Sequence, residues 1–177
     1  PSIKSLDTKG HVIYAGSFSK VLSPGLRVGF MIASKMIISK ATVALQTSTV
    51  HPNIWAQMVA YRFVTEVNFE ENLDKLRRIY KDKCYLMLNS LKFAMPKSIS
   101  FTEPEGGLFL WGTLPCGDME AFVKAALAEK VAVVPGTAFL ADERQHTLGF
   151  RLNYSTPTDE QIEKGVEILA RVAKTMY

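Results

Sequence analysis

The sequence is poor in the residues that usually ligate metals or form disulfides. Its 177 residues include 2 cysteines and 3 histidines. Cys84 and Cys116 match no metal-binding or redox spacing, and His11, His51 and His146 stand at no partner spacing. We therefore predict no metal site and two free thiols, and free thiols are typical of a reducing cytoplasm.

Long apolar runs and a secretory leader are also missing. No stretch of eighteen apolar residues occurs, which predicts that no segment spans a membrane. The opening residues, "PSIKSLDTKG", contain no apolar core of a signal peptide. We expect a cytoplasmic protein, and because the sequence does not begin with Met, we expect it to be a piece of a longer one.

Charge is nearly balanced. Lys and Arg number 21 against 17 Asp and Glu, a formal net charge of +4 at pH 7. Much of the excess lies in "DKLRRIYKDK" (74–83), where acidic residues interrupt the basic ones. This pattern is typical of a solvated helix face rather than of a nucleic-acid surface. With 47% hydrophobic residues, the chain can bury a core.

Apolar patterning in the first half predicts two strands followed by helices. The runs "HVIYAG" (11–16) and "RVGFMIAS" (27–34) are typical of strands covered on both faces. A helix is predicted for "KMIISKATVALQT", although its β-branched residues also suit a strand. Further helices are predicted for "NIWAQMVAYRFV" and from a capping Asn68 to Pro96. The last helix has one apolar stripe about 40 Å long, so we expect it to connect two domains.

The second half alternates short strands with helices. Strands are predicted for "SISF", "GGLFLWGTL", "VAVV" and "LGFRLNYS", and helices for "DMEAFVKAALAEK" and "TDEQIEKGVEILARVAKTMY". In the last strand the side chains alternate, which places Phe150, Leu152 and Tyr154 on one face and Arg151 on the other. The pattern predicts a compact α+β unit over 97–177.

Chemically informative residues concentrate in "AGSFSKVLSPGLRVGF" (15–30). Taken singly, they suit a polar connection with a solvated lysine. Taken together, they indicate a ligand: Arg27 precedes an apolar strand, and a phosphate would satisfy its guanidinium together with the hydroxyls of Ser17 and Ser19. The Lys20 amine could then attack a carbonyl to form a Schiff base. Pyridoxal 5′-phosphate carries both a phosphate and an aldehyde.

This stretch resembles the cofactor-lysine segment of fold-type I pyridoxal-phosphate enzymes, the aspartate aminotransferase superfamily of class I/II. It looks most like the branch of the 2-aminoadipate and kynurenine aminotransferases. The resemblance implies that Lys20 is the catalytic lysine bonded to pyridoxal 5′-phosphate. It also implies that Ser17, Ser19 and Arg27 bind the cofactor phosphate.

Three later segments match the same family in order. The segment "FRLNYS" resembles the strand whose arginine grips the substrate carboxylate, which makes Arg151 the predicted substrate-binding residue. "EGGLFLWGTLP" resembles the strand at the substrate entrance, and "VVPGTAF" (133–139) a turn near the side-chain pocket. Alternatives remain: Arg151 could pair with Glu143, and Phe109 and Trp111 could be core residues or substrate contacts. Asn153 has no assigned role.

The resemblance also implies a fold and a domain division. We expect an α/β fold in which 1–50 ends the large cofactor-binding domain, 51–96 forms interdomain helices, and 97–177 is a complete small α+β domain. Family members are more than twice as long. Their upstream residues hold the cofactor ring, so we expect this chain alone to be inactive.

The predicted function is an aminotransferase that moves an amino group between an amino acid and a 2-oxo acid, working as a homodimer when full-length. The alternative is the aminotransferase-like effector domain of a MocR/GntR-type transcription regulator, which would bind nucleic acid only through an upstream helix-turn-helix. A lyase or decarboxylase on the same fold is a third reading. The upstream sequence distinguishes the first two.

Overall fold

A computed structural model describes residues 1–142 and 144–177, and the contacts in this part of the chain divide it into two compact units, 1–76 and 77–177. The boundary falls within one long helix. Over the same described residues, no helix is both long enough and apolar enough to cross a membrane.

The first unit contains a β-hairpin that carries the candidate loop. Strands β1 (Tyr14–Ser17) and β2 (Gly29–Ile32) are antiparallel, and Ser17 lies opposite Gly29. The Phe18 N–H donates to the Val28 carbonyl at 3.1 Å, which extends the pairing into the loop. At Gly29 a Cβ would stand only 2.7 Å from the Gly16 carbonyl oxygen, so the two strands can approach this closely only with glycine there.

Three helices follow the hairpin: α1 (Lys35–Ser48), α2 (Ile54–Glu66) and α3 (Phe69–Ala94). The side chain of Asn53 caps α2 by accepting the Ala56 N–H at 3.3 Å. Asn68 does the same for α3 through the Glu71 N–H at 3.2 Å. These caps satisfy backbone donors that a helix start leaves unpaired. The predicted helices, including the one at 35–47 that could have been a strand, are therefore confirmed.

The predicted burial of the two strands is wrong for this chain. β1 and β2 are shorter than the apolar runs 11–16 and 27–34, and their side chains lie largely exposed, with Phe30 at 42% and Ile32 at 51%. The hairpin is a two-stranded sheet, and the described residues provide no layers that cover both of its faces. Most of the exposed large hydrophobic side chains in the described residues belong to the first unit.

The second unit is built on a four-stranded antiparallel sheet of β3 (Ser100–Phe101), β4 (Phe109–Thr113), β5 (Val134–Pro135) and β6 (Gly149–Asn153), in the order β3-β4-β6-β5. The predicted strand "SISF" shortens to its last two residues, and of "VAVV" only Val134 lies in β5, because both strands lie at sheet edges and pair on one side. The proline that ends β5 also lacks an N–H to continue the ladder. The helices of this unit that follow α3 are α4 (Met119–Ala128) and α5 (Asp159–Met176).

One face of this sheet packs against helices to form the core of the second unit. Leu91 of α3, Phe122 of α4, Phe150 of β6 and Leu169 of α5 are each at most 2% exposed. The alternation predicted for β6 is confirmed, since Phe150 and its even-numbered neighbours are buried. The long apolar stripe of α3 thus ends in the core of an α+β unit.

Two sequence signals in the second unit are confirmed by side-chain contacts. Thr158 and Gln161, three residues apart in the Thr-x-x-Gln pattern, form a reciprocal cap of α5 with hydrogen bonds of 3.3 and 2.9 Å. Tyr154 packs in the interior at 1% exposure. Burial, with a smaller contribution from the neighbouring Cys84 thiol, raises the pKa of Tyr154 to about 12, so this phenol stays neutral at physiological pH.

Truncating a core leucine tests this packing. Leu91→Ala should lower the free energy of unfolding by roughly 2–5 kcal/mol, because it leaves a cavity in the core. Leu127→Ala, which removes a 59% exposed leucine from α4, should change it by less than about 0.5 kcal/mol. Urea unfolding followed by circular dichroism measures both, and equal effects would contradict the core described here.

Adding a methyl group at Gly29 tests the close approach in the hairpin. Gly29→Ala should separate β1 from β2 and speed amide hydrogen exchange at Phe18, whose N–H closes the loop. Gly165→Ala is the matched control, since a Cβ on that α5 residue meets open space. Unchanged exchange at Phe18 in Gly29→Ala would show that the strands tolerate a Cβ there.

Candidate functional site

The loop between β1 and β2 is anchored by its apolar side chains. Leu22 donates its N–H to the Phe18 carbonyl at 2.9 Å, and the Asn72 amide donates to the Val21 carbonyl at 3.3 Å. Burying the apolar side chains fixes the loop against α2 and leaves the polar ones for other contacts. The cluster consists of Phe18, Leu22 and Leu26 packed on Val28, Ala56 and Ala60.

Two serines at the start of the loop are bonded to each other. Ser17 donates its hydroxyl to the Ser19 Oγ at 3.0 Å and accepts the Ser19 N–H at 3.1 Å. Ser17 and the following Lys20 are exposed, whereas Ser19 is half-buried. The local turn therefore holds two hydroxyls together directly before the candidate lysine.

Arg27 closes the loop in an uncommon backbone conformation. It follows the 3₁₀ turn Pro24–Leu26 with φ 53° and ψ 40°, a left-handed geometry that few non-glycine residues adopt. The side chain is exposed rather than enclosed beside the strand, and its Nη1 donates to the Pro24 carbonyl over a long 3.3 Å. Strained backbone of this kind occurs often at ligand-binding positions.

The donor set on this loop is compatible with the phosphate-bearing aldehyde expected from the sequence. The hydroxyls of Ser17 and Ser19, an ammonium and a guanidinium lie on one anchored loop, and no acidic residue occurs between residues 15 and 30. Such donors complement a dianionic phosphate, and a guanidinium binds phosphate oxygens in a bidentate manner. The lysine amine supplies the nucleophile that a carbonyl needs.

Arg151 lies in the second unit, at the centre of β6. It pairs with Trp111 of β4 on one side and with Val134 of β5 on the other. Its guanidinium carbon is 4.0 Å from the ring centroid of Phe109 and 4.7 Å from that of Phe139. Within the described residues its Nε is buried and has no hydrogen-bond partner.

A carboxylate ligand would suit this arginine. The predicted rival partner, Glu143, lies outside the described residues, and among residues 1–142 and 144–177 no acidic side chain forms an ion pair with Arg151. A buried guanidinium N–H without a partner is energetically unfavourable. A bidentate carboxylate is the ligand that the guanidinium geometry matches best.

The aromatic residues near Arg151 are not core residues. Phe109 and Trp111 share its face of the sheet, opposite the core residue Leu110. Trp111 lies so close over Gly149 that a Cβ there would collide with the indole. Trp111 also meets the ring of Phe139 edge-on, with centroids 5.6 Å apart and planes at 72°.

The sequence analysis did not identify Phe139 as a neighbour of Arg151; it included this residue only within the segment "VVPGTAF". It ends the 3₁₀ turn Gly136–Phe139, which follows β5 directly. Because β5 pairs with β6 at Arg151, residues just after β5 are placed beside that arginine. The sequence signal that could have identified Phe139 was an aromatic residue at the end of a turn next to the predicted strand.

The remaining candidates have structural roles. Asn153 accepts both the N–H and the hydroxyl of Ser155 at 2.7 Å, a local turn that accounts for its side chain. His51 is exposed and its Nδ1 lies 2.9 Å from the Pro52 carbonyl. Across the described part of the chain, His, Cys, Asp and Glu form no group that could hold a metal ion.

Comparisons with known proteins show which proteins this chain is similar to. The chain is 42% identical over 165 residues to the 2-aminoadipate transaminase of Thermus thermophilus, covering 92% of this chain and 41% of that protein. It is 31% identical over 166 residues to the transcriptional regulator NorG of Staphylococcus aureus, covering 92% and 36%. It thus spans less than half the length of these relatives.

The solved structures include the kynurenine aminotransferase of Pyrococcus horikoshii, which matches with a TM-score of 0.92 at 39% identity. That match covers 99% of this chain and 43% of the other. A family model described as "Aminotransferase class I and II" matches residues 2–169. The fold predicted from the sequence is therefore confirmed, and the chain belongs to the class I and II aminotransferase family.

Proposed function

We propose that this chain carries the cofactor lysine and the carboxylate-binding arginine of a pyridoxal-phosphate-dependent aminotransferase. The observation that carries the proposal is that Ser17, Ser19, Lys20 and Arg27 stand on one loop and that no acidic residue occurs between residues 15 and 30. Arg151 supports it from the second unit, because no acidic side chain among the described residues forms an ion pair with its guanidinium. The reaction is the transfer of an amino group between an amino acid and a 2-oxo acid.

Three residues would hold the cofactor phosphate. The Arg27 guanidinium has N–H groups beyond the one given to Pro24, and these would bind two phosphate oxygens. The hydroxyls of Ser17 and Ser19 would exchange their mutual hydrogen bond for bonds to the remaining oxygens. The apolar anchor of the loop keeps these donors in place before the ligand arrives, which lowers the entropy lost on binding.

Lys20 would bind the cofactor and move the substrate proton. When bound, pyridoxal phosphate supplies a carbonyl that links to amines and a ring that accepts electrons from the substrate Cα. The Lys20 Nζ would be the amine that holds this carbonyl until a substrate amine replaces it. Once released, the same Nζ would act as the base that takes the proton from the substrate Cα and as the acid that gives it back.

Arg151 would bind the α-carboxylate that amino acids and 2-oxo acids share. Two parallel N–H···O bonds fix the carboxylate in one orientation, which in turn orients the Cα–H bond. One arginine can therefore serve both substrates of the exchange. The relatives named as 2-aminoadipate and kynurenine aminotransferases act on substrates of this kind.

Assembly, location and domain limits remain predictions from the family resemblance. We propose a homodimer in the cytoplasm for the full-length protein. We also propose domain divisions at 50 and 96, with 1–50 in the cofactor-binding domain and 97–177 as the small domain. The uncovered apolar side chains of the first unit support the view that further protein packs there.

A regulator is the second candidate, because NorG matches most of this chain. An effector domain of that kind would need Lys20 and Arg151 for ligand binding but not for turnover. The intact protein separates the two readings: an aminotransferase forms a 2-oxo acid product from an amino acid, whereas a regulator retards operator DNA in a mobility shift. A lyase or decarboxylase would release a product other than the 2-oxo acid.

Replacing Lys20 tests its covalent role. In the full-length protein, Lys20→Ala should abolish the absorption band of the lysine-bound cofactor and lower turnover by roughly 100- to 10,000-fold. Borohydride reduction and peptide mass spectrometry of the unsubstituted protein should place the cofactor mass on the peptide containing Lys20.

The control is Lys40→Ala, which removes an exposed lysine from α1 and should leave band and turnover unchanged. Lys20→Arg keeps the positive charge and should still lose the band, because a guanidinium is too weak a nucleophile. A band that persists in Lys20→Ala would refute the assignment.

Replacing Arg151 tests carboxylate binding. Arg151→Ala should weaken amino-acid affinity by roughly 10- to 100-fold, because a charged hydrogen-bonded pair is lost. Arg151→Lys should restore only part of it, since an ammonium lacks the bidentate geometry. Spectral titration of the bound cofactor measures the affinity.

Arg171→Ala is the matched control, because that arginine pairs with Glu129 at the surface, 2.8 Å away. It should bind amino acids as the unsubstituted protein does. Equal affinities in Arg151→Ala and Arg171→Ala would exclude Arg151 as the carboxylate ligand.

A further inference from the structure

We infer that Phe139 is a positioning residue for Arg151. With Phe109, it holds the guanidinium in one orientation, so that the Nη atoms are ready for a carboxylate. The inference deepens the proposed function and rests on it, because the carboxylate is that of the proposed substrates. Phe139 itself acts through Arg151.

The guanidinium lies over two aromatic rings at once. Its central carbon is 4.0 Å from the Phe109 centroid and 4.7 Å from the Phe139 centroid. Both distances are within the range in which a ring face attracts a cation. A side chain as long as arginine otherwise loses considerable rotamer entropy when a ligand fixes it. Contacts made before the ligand arrives reduce that loss.

The ring of Phe139 is itself packed against another aromatic side chain. Trp111 packs edge-on against its ring, and Trp111 is pressed onto β6 at Gly149. The turn that carries Phe139 begins where β5 ends, and β5 pairs with β6 at Arg151. Through β5 and through Trp111, the Phe139 ring is therefore fixed relative to β6, the strand that carries Arg151.

The exposure of Phe139 also calls for an explanation. The ring is 47% exposed, so burial alone does not account for its position. The Nε of Arg151 is enclosed, which leaves the Nη atoms as the route by which a carboxylate reaches the guanidinium. A ring that contacts the guanidinium and still reaches solvent is suited to guide that approach.

Binding measurements on the full-length, cofactor-loaded protein test this role. Phe139→Leu keeps an apolar side chain but removes the ring, and it should weaken amino-acid affinity about fivefold with kcat nearly unchanged. Phe139→Tyr keeps the ring and should restore affinity to within about twofold. Phe93→Leu, the same change at a side chain 94% exposed in this chain, is the matched control and should have no effect.

The substrate's own carboxylate provides a second comparison. The corresponding amine, which lacks the carboxylate, should bind equally well to Phe139→Leu and to the unsubstituted protein. In an Arg151→Ala background, Phe139→Leu should cause no further loss, because the group it positions is gone. Loss of affinity for the amine as well, or an additional loss in the double variant, would overturn the positioning role.

A measurement that needs no catalysis separates this inference from the proposed function. In ¹⁵N-resolved NMR, the Nε–H of Arg151 should carry a ring-current shift and exchange slowly, because two ring centroids lie 4.0 and 4.7 Å from the guanidinium carbon and the Nε is buried. Phe139→Leu should reduce the shift and speed exchange, whereas Phe93→Leu should not.

Unchanged Nε–H signals in Phe139→Leu would overturn the inference whatever the protein catalyses. If those signals change while Arg151→Ala leaves amino-acid affinity intact, the carboxylate-binding role in the proposed function fails and the ring contact with Arg151 stands.

Discussion

The pairing of β6 with β4 and β5 is the constraint on which the second unit depends. Successive side chains of a strand point to opposite faces of a sheet. Phe150 and Leu152 are thereby committed to the core, and Arg151 between them must face the other way. A shift of one residue in register would bury the arginine and expose the core. The pairing thus sets the stability of the unit and the orientation of its guanidinium together.

In the first unit, apolar side chains rather than a large sheet fix the position of the candidate loop. Phe18, Leu22 and Leu26 pack on a small cluster that includes Ala56 and Ala60 of α2. Small alanine side chains let the loop approach the helix closely. The apolar side chains hold the loop in place, and the side chains of Lys20 and Arg27 stay exposed and available to a ligand. The anchor is therefore a condition for the proposed site.

Much of this arrangement was predictable from short-range patterns. The helix starts at Asn53 and Asn68 and the reciprocal cap at Thr158 follow from local chemistry, because a polar side chain before a helix satisfies its first N–H groups. The outward orientation of Arg151 followed from alternation alone. The burial of β1 and β2 was predicted wrongly. An apolar strand indicates that its side chains need to be buried, but it does not indicate which residues of the polypeptide bury them.

The sequence by itself determined which chemical groups are present and their local order. Lys20 stands among serines and Arg27 follows it by seven residues, while Arg151 lies on a strand with alternating side chains. Only the tertiary structure decided which side chains surround them. Phe139 stands twelve residues from Arg151 in the chain and reaches it because β5 pairs with β6. Trp111 supports that ring through β4. Spacing along a chain specifies local geometry, whereas contacts between distant residues depend on strand pairing and packing.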